Sequence, residues 1–202
     1  MHLQRTLKKE ITCTSIGLHT GRKVKMTIKP APVDTGVLFV RKDLPNAAPI
    51  PADYENVCDT TLATSLCHDG VTVSTVEHIL SAFSGMGLDN AVVELDSFEV
   101  PIMDGSAQPF VRMLKEAGTR PQGKSKKMLL VTKPVSVKEG EGSAMLLPSD
   151  EFKITYEIDF AHRSIGKQAY SVVFSDHNYE DGICRARTFG FLREVEFLQA
   201  KG

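Results

Sequence analysis

Residues 74–87 read STVEHILSAFSGMG, and the layering of the chain follows from them. Val76, Ile79, Leu80, Phe83 and Met86 recur at the i, i+3, i+4, i+7 spacing of one helix face. At about 100° per residue, His78, Ser81, Ala82 and Gly85 fall on the other side. A solvated face carries Lys, Glu, Gln or Arg. A face of small residues instead admits a second layer at close range, so this helix is expected to be covered on both sides. Ser74-x-x-Glu77 also fits a capping box, in which the Glu side chain returns to the N-cap amide. Glu77 therefore has two readings. It is a helix cap, or it is a base for water on a metal held by the adjacent His78 imidazole. One His is not a metal site, and no HExxH motif is present.

Outward from this helix the pattern is mostly period two. Val24, Met26 and Ile28 alternate with Lys23, Lys25 and Lys29, offset by Thr27, which predicts a half-buried strand. Phe152, Ile154, Tyr156 and Ile158 alternate with Lys153, Thr155, Glu157 and Asp159 in the clearest strand of the chain. Shorter apolar strands are expected over 36–41, 90–95, 128–132 and 170–175. Further helices are expected over 107–117, stopped by Gly118, and over 191–200. The Pro, Gly, Ser and basic residues of 119–127 read as a connection. The expected organisation is α+β: a first domain over 1–120, a linker over 121–127, and a second domain over 128–202 shortened at its C-terminal end.

Twenty-four Lys and Arg balance 25 Asp and Glu, which argues against binding nucleic acid through bulk phosphate attraction. No apolar run reaches the ~20 residues that cross a bilayer, and no apolar segment follows the basic start. Cys13, Cys58, Cys67 and Cys184 are scattered without a CxxC pair, so four reduced thiols in a cytoplasmic protein are expected.

Four other segments could carry chemistry. GLHTG at 17–21 is a turn with either a surface or a working His19. In MDGSA at 103–107, Asp104 or Ser106 caps the next helix or serves a site. Arg187, Thr188, Phe189 and Phe191 put a cation, a hydroxyl and aromatics at an expected helix start, where amides can also bind anions. Asp159 and Phe160 end the clear strand, where the ring either packs or stacks on a base.

GLHTG, PADYENVxDTTL, STVEHILSAFSGMGLDN, VPIMDGSAQPF and CRARTFGFLREVEFLQ occur in this order. Together they resemble the UDP-3-O-acyl-N-acetylglucosamine deacetylase family, the zinc amidases of bacterial lipid A biosynthesis. The resemblance implies two β-α-layered domains of similar topology, packed helix to helix, the second incomplete in these 202 residues. It implies Zn2+ as cofactor with His78 as a ligand, Glu77 as general base and Thr188 as oxyanion donor. It implies further that Phe189 contacts substrate, that Asp159 and Phe160 lie at the uridine pocket, and that His19 and Asp104 line or support the cavity. The implied partner is the UDP-3-O-acyl-N-acetylglucosamine substrate. No nucleic acid and no transmembrane segment are expected, with peripheral membrane contact only through the acylated substrate. The sequence sets no oligomeric state.

The resemblance also places the family's HKxxD zinc ligands and its late catalytic His after Gly202, so weak zinc binding and no turnover are expected of these residues alone. Ala63 stands where many relatives carry a Cys, and a basic residue of some relatives is missing from 139–143. The rival expectation is a non-catalytic fragment that binds the nucleotide-sugar or acyl chain only.

Overall fold

The structure is a computed structural model that describes residues 2–174, 176–192 and 196. It divides into two units, Met1–Lys126 with Glu180–Gly202, and Lys127–Tyr179. Both are mixtures of strand and helix, so the α+β expectation holds at that level.

The first unit contains β1 (Leu3–Leu7), β2 (Ile11–Ile16), β3 (Lys23–Pro30), β4 (Val37–Arg41), β5 (Ile50–Pro51), β6 (Val57–Asp59), β7 (Ser65–His68), β8 (Val71–Ser74), α1 (Glu77–Gly85), β9 (Ala91–Leu95), α2 (Gln108–Ala117) and β10 (Thr119–Ser125). Its main sheet runs β2-β3-β9-β4-β5. All neighbours are antiparallel except β4 and β9. A parallel pair needs a long crossover, and β5 through α1 supply it. The alternation read from 23–30 forms β3, with Val24, Met26 and Ile28 fully buried. Phe39 of β4 and Val93 of β9 join them in the core.

Helix α1 buries Ile79, Ala82, Phe83 and Gly85, while Leu80 and Met86 of the expected core stripe are only half-buried. Of the small-residue face, Ala82 and Gly85 are buried while His78 and Ser81 are half-buried; α1 packs on α2, and a 3-10 turn at Ile183–Arg185 touches both. Truncating a buried Phe such as Phe83 to Ala costs about 3–5 kcal/mol. Helix α2 ends as expected at Gly118, whose φ of 67° suits glycine and whose N–H reaches the Leu114 carbonyl at 2.9 Å.

The stretch expected to be a linker is largely a strand. β10 pairs antiparallel with β1, Leu7 opposite Thr119 and Arg5 opposite Pro121, so a boundary at 120 falls inside a ribbon. Its polarity is satisfied by bonding: Gln122 donates to the Ala31 carbonyl at 2.9 Å and accepts from Asn90 Nδ2 at 2.8 Å. Pro121 is tolerated because a two-stranded ribbon leaves an edge free. A three-stranded sheet, β6-β7-β8, completes the unit. Here the four-thiol expectation is corrected, because Cys58 and Cys67 form a disulfide across the adjacent strands β6 and β7. Cys13 and Cys184 are free thiols.

The second unit contains β11 (Val135–Glu139), β12 (Gly142–Leu146), β13 (Lys153–Phe160) and β14 (Gly166–Val173), with α3 (Asp176–Asp181) starting in it. Its strands form two hairpins. Phe174 lies 5.0 Å from Phe152 and 6.2 Å from Tyr179, ring centre to ring centre. β13 forms where the alternation placed it, with Phe152, Ile154 and Tyr156 exposed. The strand expected over 128–132 is absent among the described residues. Leu129 there is 86 % exposed, and no described strand pairs with the segment to take its amides. The division also assigns 180–202 to the first unit, not to a second domain over 128–202. The helix expected over 191–200 lies mostly outside the described residues.

Candidate active site

Three backbone segments of the first unit converge. Residues 98–100 run beside the end of β8: Ser74 N–H donates to the Phe98 carbonyl at 2.7 Å and Val100 N–H to the Ser74 carbonyl at 2.9 Å. Two residues on, Ile102 N–H donates to the Ile16 carbonyl at 3.0 Å, where β2 turns into the GLHTG loop. The loop, the entry to α1 and the MDGSA turn therefore share one edge of the unit.

At their meeting point lies Glu99, a carboxylate with no exposed surface. Its Oε1 accepts the His19 N–H at 2.8 Å, and its Oε2 accepts the Thr20 N–H at 3.0 Å and the Thr20 hydroxyl at 2.7 Å. The Thr75 hydroxyl donates to Oε1 at 3.4 Å. Gly17 is required here for space: a Cβ would overlap Glu99 Oε2 and lie 2.7 Å from its Cδ. The half-buried His19 carries a buried Nε2 with no hydrogen-bond partner among the described residues. Buried polar atoms are seldom left without a partner, so this one marks His19 as a candidate for a working role.

Glu77 and His78 open α1, both half-buried. The capping box read from the sequence is not formed. Ser74 belongs to β8 and its hydroxyl accepts from Ser65 at 2.9 Å, Thr75 has a φ of 60°, and the N-cap is Val76 with no side-chain cap bond. Glu77 Oε2 instead accepts the Thr64 N–H at 3.1 Å. Its Oε1 has no hydrogen bond among the described residues. A carboxylate with an oxygen left over in this way can take a proton from a water or a substrate group.

Asp104 Oδ1 accepts from the Ser106 hydroxyl at 2.7 Å and the Ser106 N–H at 3.0 Å, and Ser106 Oγ accepts the Gln108 N–H at 3.2 Å. Asp104 therefore does not cap α2 itself: it holds Ser106, whose hydroxyl meets the first helical N–H, while the N-cap position is Ala107 with no side-chain cap bond. The Ser106 hydroxyl, with help from the nearby Arg187 charge, holds the Asp104 carboxyl below its ordinary range. Thr188 N–H donates to the Gly105 carbonyl at 2.9 Å, and its methyl faces Gly105. This places an exposed hydroxyl beside the turn. Phe189 follows, 56 % exposed, with its ring edge-on to Phe191 at 5.8 Å.

Asp159 and Phe160 belong to the second unit, exposed at the end of β13 where Phe160 pairs with Gly166. Glu99 and Thr75 were not singled out from the sequence. A lone Glu between Phe98 and Val100 was the available signal, since a charge in an apolar run needs a reason.

The family model described as LpxC, UDP-3-O-acyl N-acetylglycosamine deacetylase, matches residues 4–202. A protein of Syntrophus aciditrophicus named UDP-3-O-acyl-N-acetylglucosamine deacetylase is 58 % identical over all of this chain and 64 % of its own length. Proteins of the same name from Saccharophagus degradans and Teredinibacter turnerae are 51 % and 50 % identical, each over 98 % of this chain and 66 % of its own length. The chain thus spans just under two thirds of these relatives. On a match that covers nearly every residue, the chain belongs to the LpxC family of UDP-3-O-acyl N-acetylglycosamine deacetylases.

Proposed function

We propose that the chain carries part of the machinery that hydrolyses the acetamide of UDP-3-O-acyl-N-acetylglucosamine and releases acetate, in the cytoplasm. One observation supports this most: Glu77 is held by Thr64 and not spent on its own helix cap, which leaves Oε1 without a hydrogen bond among the described residues. In this reading Glu77 takes a proton from the attacking water. The Thr188 hydroxyl, set by its backbone bond to Gly105, donates to the oxygen of the tetrahedral intermediate. Phe189, Asp159 and Phe160 contact substrate, the last two at the uridine. His19 offers its unpartnered Nε2 to a bound group, and Asp104 braces the turn under Thr188.

The family's zinc finds one proposed ligand here, His78. Among the described residues no group of three His, Cys, Asp or Glu side chains could hold an ion, whereas a catalytic zinc takes three protein ligands. These residues do not make up a complete zinc site, and the steps above belong to the protein's own groups. The same observation favours a second reading, a fragment that binds the nucleotide-sugar or acyl chain without turnover. Acetate release by the purified protein decides between them. Turnover that falls about 10²–10³-fold in Thr188→Val supports the deacetylase reading. Substrate binding with no acetate released supports the second.

A further inference from the structure

Glu99 is an anomaly for a packed protein. It is fully buried, makes no ion pair among the described residues, and is satisfied only by neutral N–H and O–H donors. Burying a carboxylate without a cation is costly, and its hydrogen bonds must offset that cost. A loop staple alone does not require this: a serine or an amide could hold two backbone N–H groups of 17–21. What only a carboxylate does is accept at both oxygens with no donor of its own. Here the donors come from two places. His19 and Thr20 belong to the GLHTG loop, and Thr75 is the left-handed residue from which the chain turns into α1.

We propose that Glu99 is a positioning residue of this site: its carboxylate locks the loop that carries His19 to the Thr75 turn that aims Glu77 and His78. The assignment rests on the deacetylase reading for its kinetic consequence, but not for its geometry. Thr75 is 2 % exposed and followed at once by Val76, Glu77 and His78, so a shift at Thr75 passes directly into the first turn of α1. Gly17 lies against the same carboxylate, close enough that an added Cβ would overlap it, so the loop backbone and Glu99 are in tight contact there as well. The distance scale matters because a misplacement of about 1 Å at a reacting group can cost about a hundredfold in rate.

Glu99→Gln keeps the shape but sets an amide NH2 against a donor, either the Thr20 N–H or the His19 N–H. Amide NMR on the full chain gives the readout that needs no activity. In Glu99→Gln the backbone resonances of Glu77 and His78 are expected to move together with those of His19 and Thr20. Changes confined to His19 and Thr20 would overturn the proposal. Thr20→Val, a milder change at a half-exposed residue, removes one bond to Glu99 and is expected to move the Glu77 and His78 resonances in the same direction. Unmoved resonances there overturn the proposal even if Glu99→Gln fails to fold.

The kinetic arm compares Glu99→Gln with Thr6→Val, which breaks a remote buried bond to Asn90 and serves as the stability control. At matched thermal stability, kcat should fall at least about tenfold in Glu99→Gln with KM little changed, and stay within about twofold in Thr6→Val. Equal losses in the two variants reduce Glu99 to a structural staple. If the unaltered protein releases no acetate, the deacetylase reading fails, while the resonance pattern still decides whether Glu99 couples the two segments.

Discussion

The Thr64 N–H donates to Glu77 Oε2 at 3.1 Å, so the first carboxylate of α1 is steered by a loop thirteen residues upstream and not by its own helix. The stability and the chemistry of Glu77 are therefore separable. Glu77→Gln keeps an oxygen for Thr64 and gives up no helix cap, because none exists. In an enzyme that carries its full zinc set, thermal melting should stay near normal while acetate release falls about 10²–10⁴-fold. Unchanged turnover would reduce Glu77 to an anchor for the loop.

Gly17→Ala is expected to destabilise by about 1–3 kcal/mol, since the added methyl meets the Glu99 carboxylate in a place with no slack. Gly21→Ala is the useful contrast. Nothing lies near a Cβ there, and only its φ of 61° penalises the change, by about 1–2 kcal/mol. Chemical denaturation measures both, and only Gly17→Ala should also disturb the His19 amide resonance.

Asp104 titrates below its ordinary 3.8, held down first by the Ser106 hydroxyl. A depressed carboxyl adds stability that is fully present above its unfolded pKa and is lost as pH falls through the folded one. The contribution of Asp104 should thus be intact above about pH 4 and fade only in stronger acid. Side-chain carboxyl NMR should show the midpoint rising in Ser106→Ala. An unshifted midpoint would remove the hydroxyl as its cause.

Thiol chemistry tests the Cys58–Cys67 link. Without reductant the unfolded chain should present two of its four cysteines to a thiol reagent, and with reductant all four. In the native state the two free thiols should react slowly, because burial pushes Cys13 up to about 11 and raises Cys184 as well. With its ends nine positions apart along the chain, the crosslink is expected to contribute about 2–3 kcal/mol through the unfolded state. Four reactive thiols without reductant would refute the link.

Where the apolar period was long, the sequence was legible. α1, α2, β3, β4, β9 and β13 all form near the places their spacing indicated. It failed where a polar side chain does inward work. The Pro, Gly, Ser and basic residues of 119–127 made β10 look like a connector, although Gln122 within it bonds Ala31 and Asn90. Ser74 looked like a cap because nothing local announces that Thr75 takes a positive φ and pulls Ser74 into β8. The pairing of Cys58 with Cys67 depends on β6 lying against β7, a contact no spacing rule supplies. At the site, His19, Glu77, Asp104 and Thr188 could be named from their motifs. Glu99, which ties His19 and Thr20 to Thr75, could not, because its partners are donors in two segments far apart in the chain.

The ribbon of β1 and β10 has a consequence for how the first unit opens. Its strands come from residues 3–7 and 119–125, so the intervening chain is gathered into a ring fastened at one seam. Amide protons on the two strands then cannot exchange with solvent independently, because each strand's departure strips the other of its acceptors. The seam makes the usual weak spot of a fold, its outermost strand, share one opening event with a segment more than a hundred residues away.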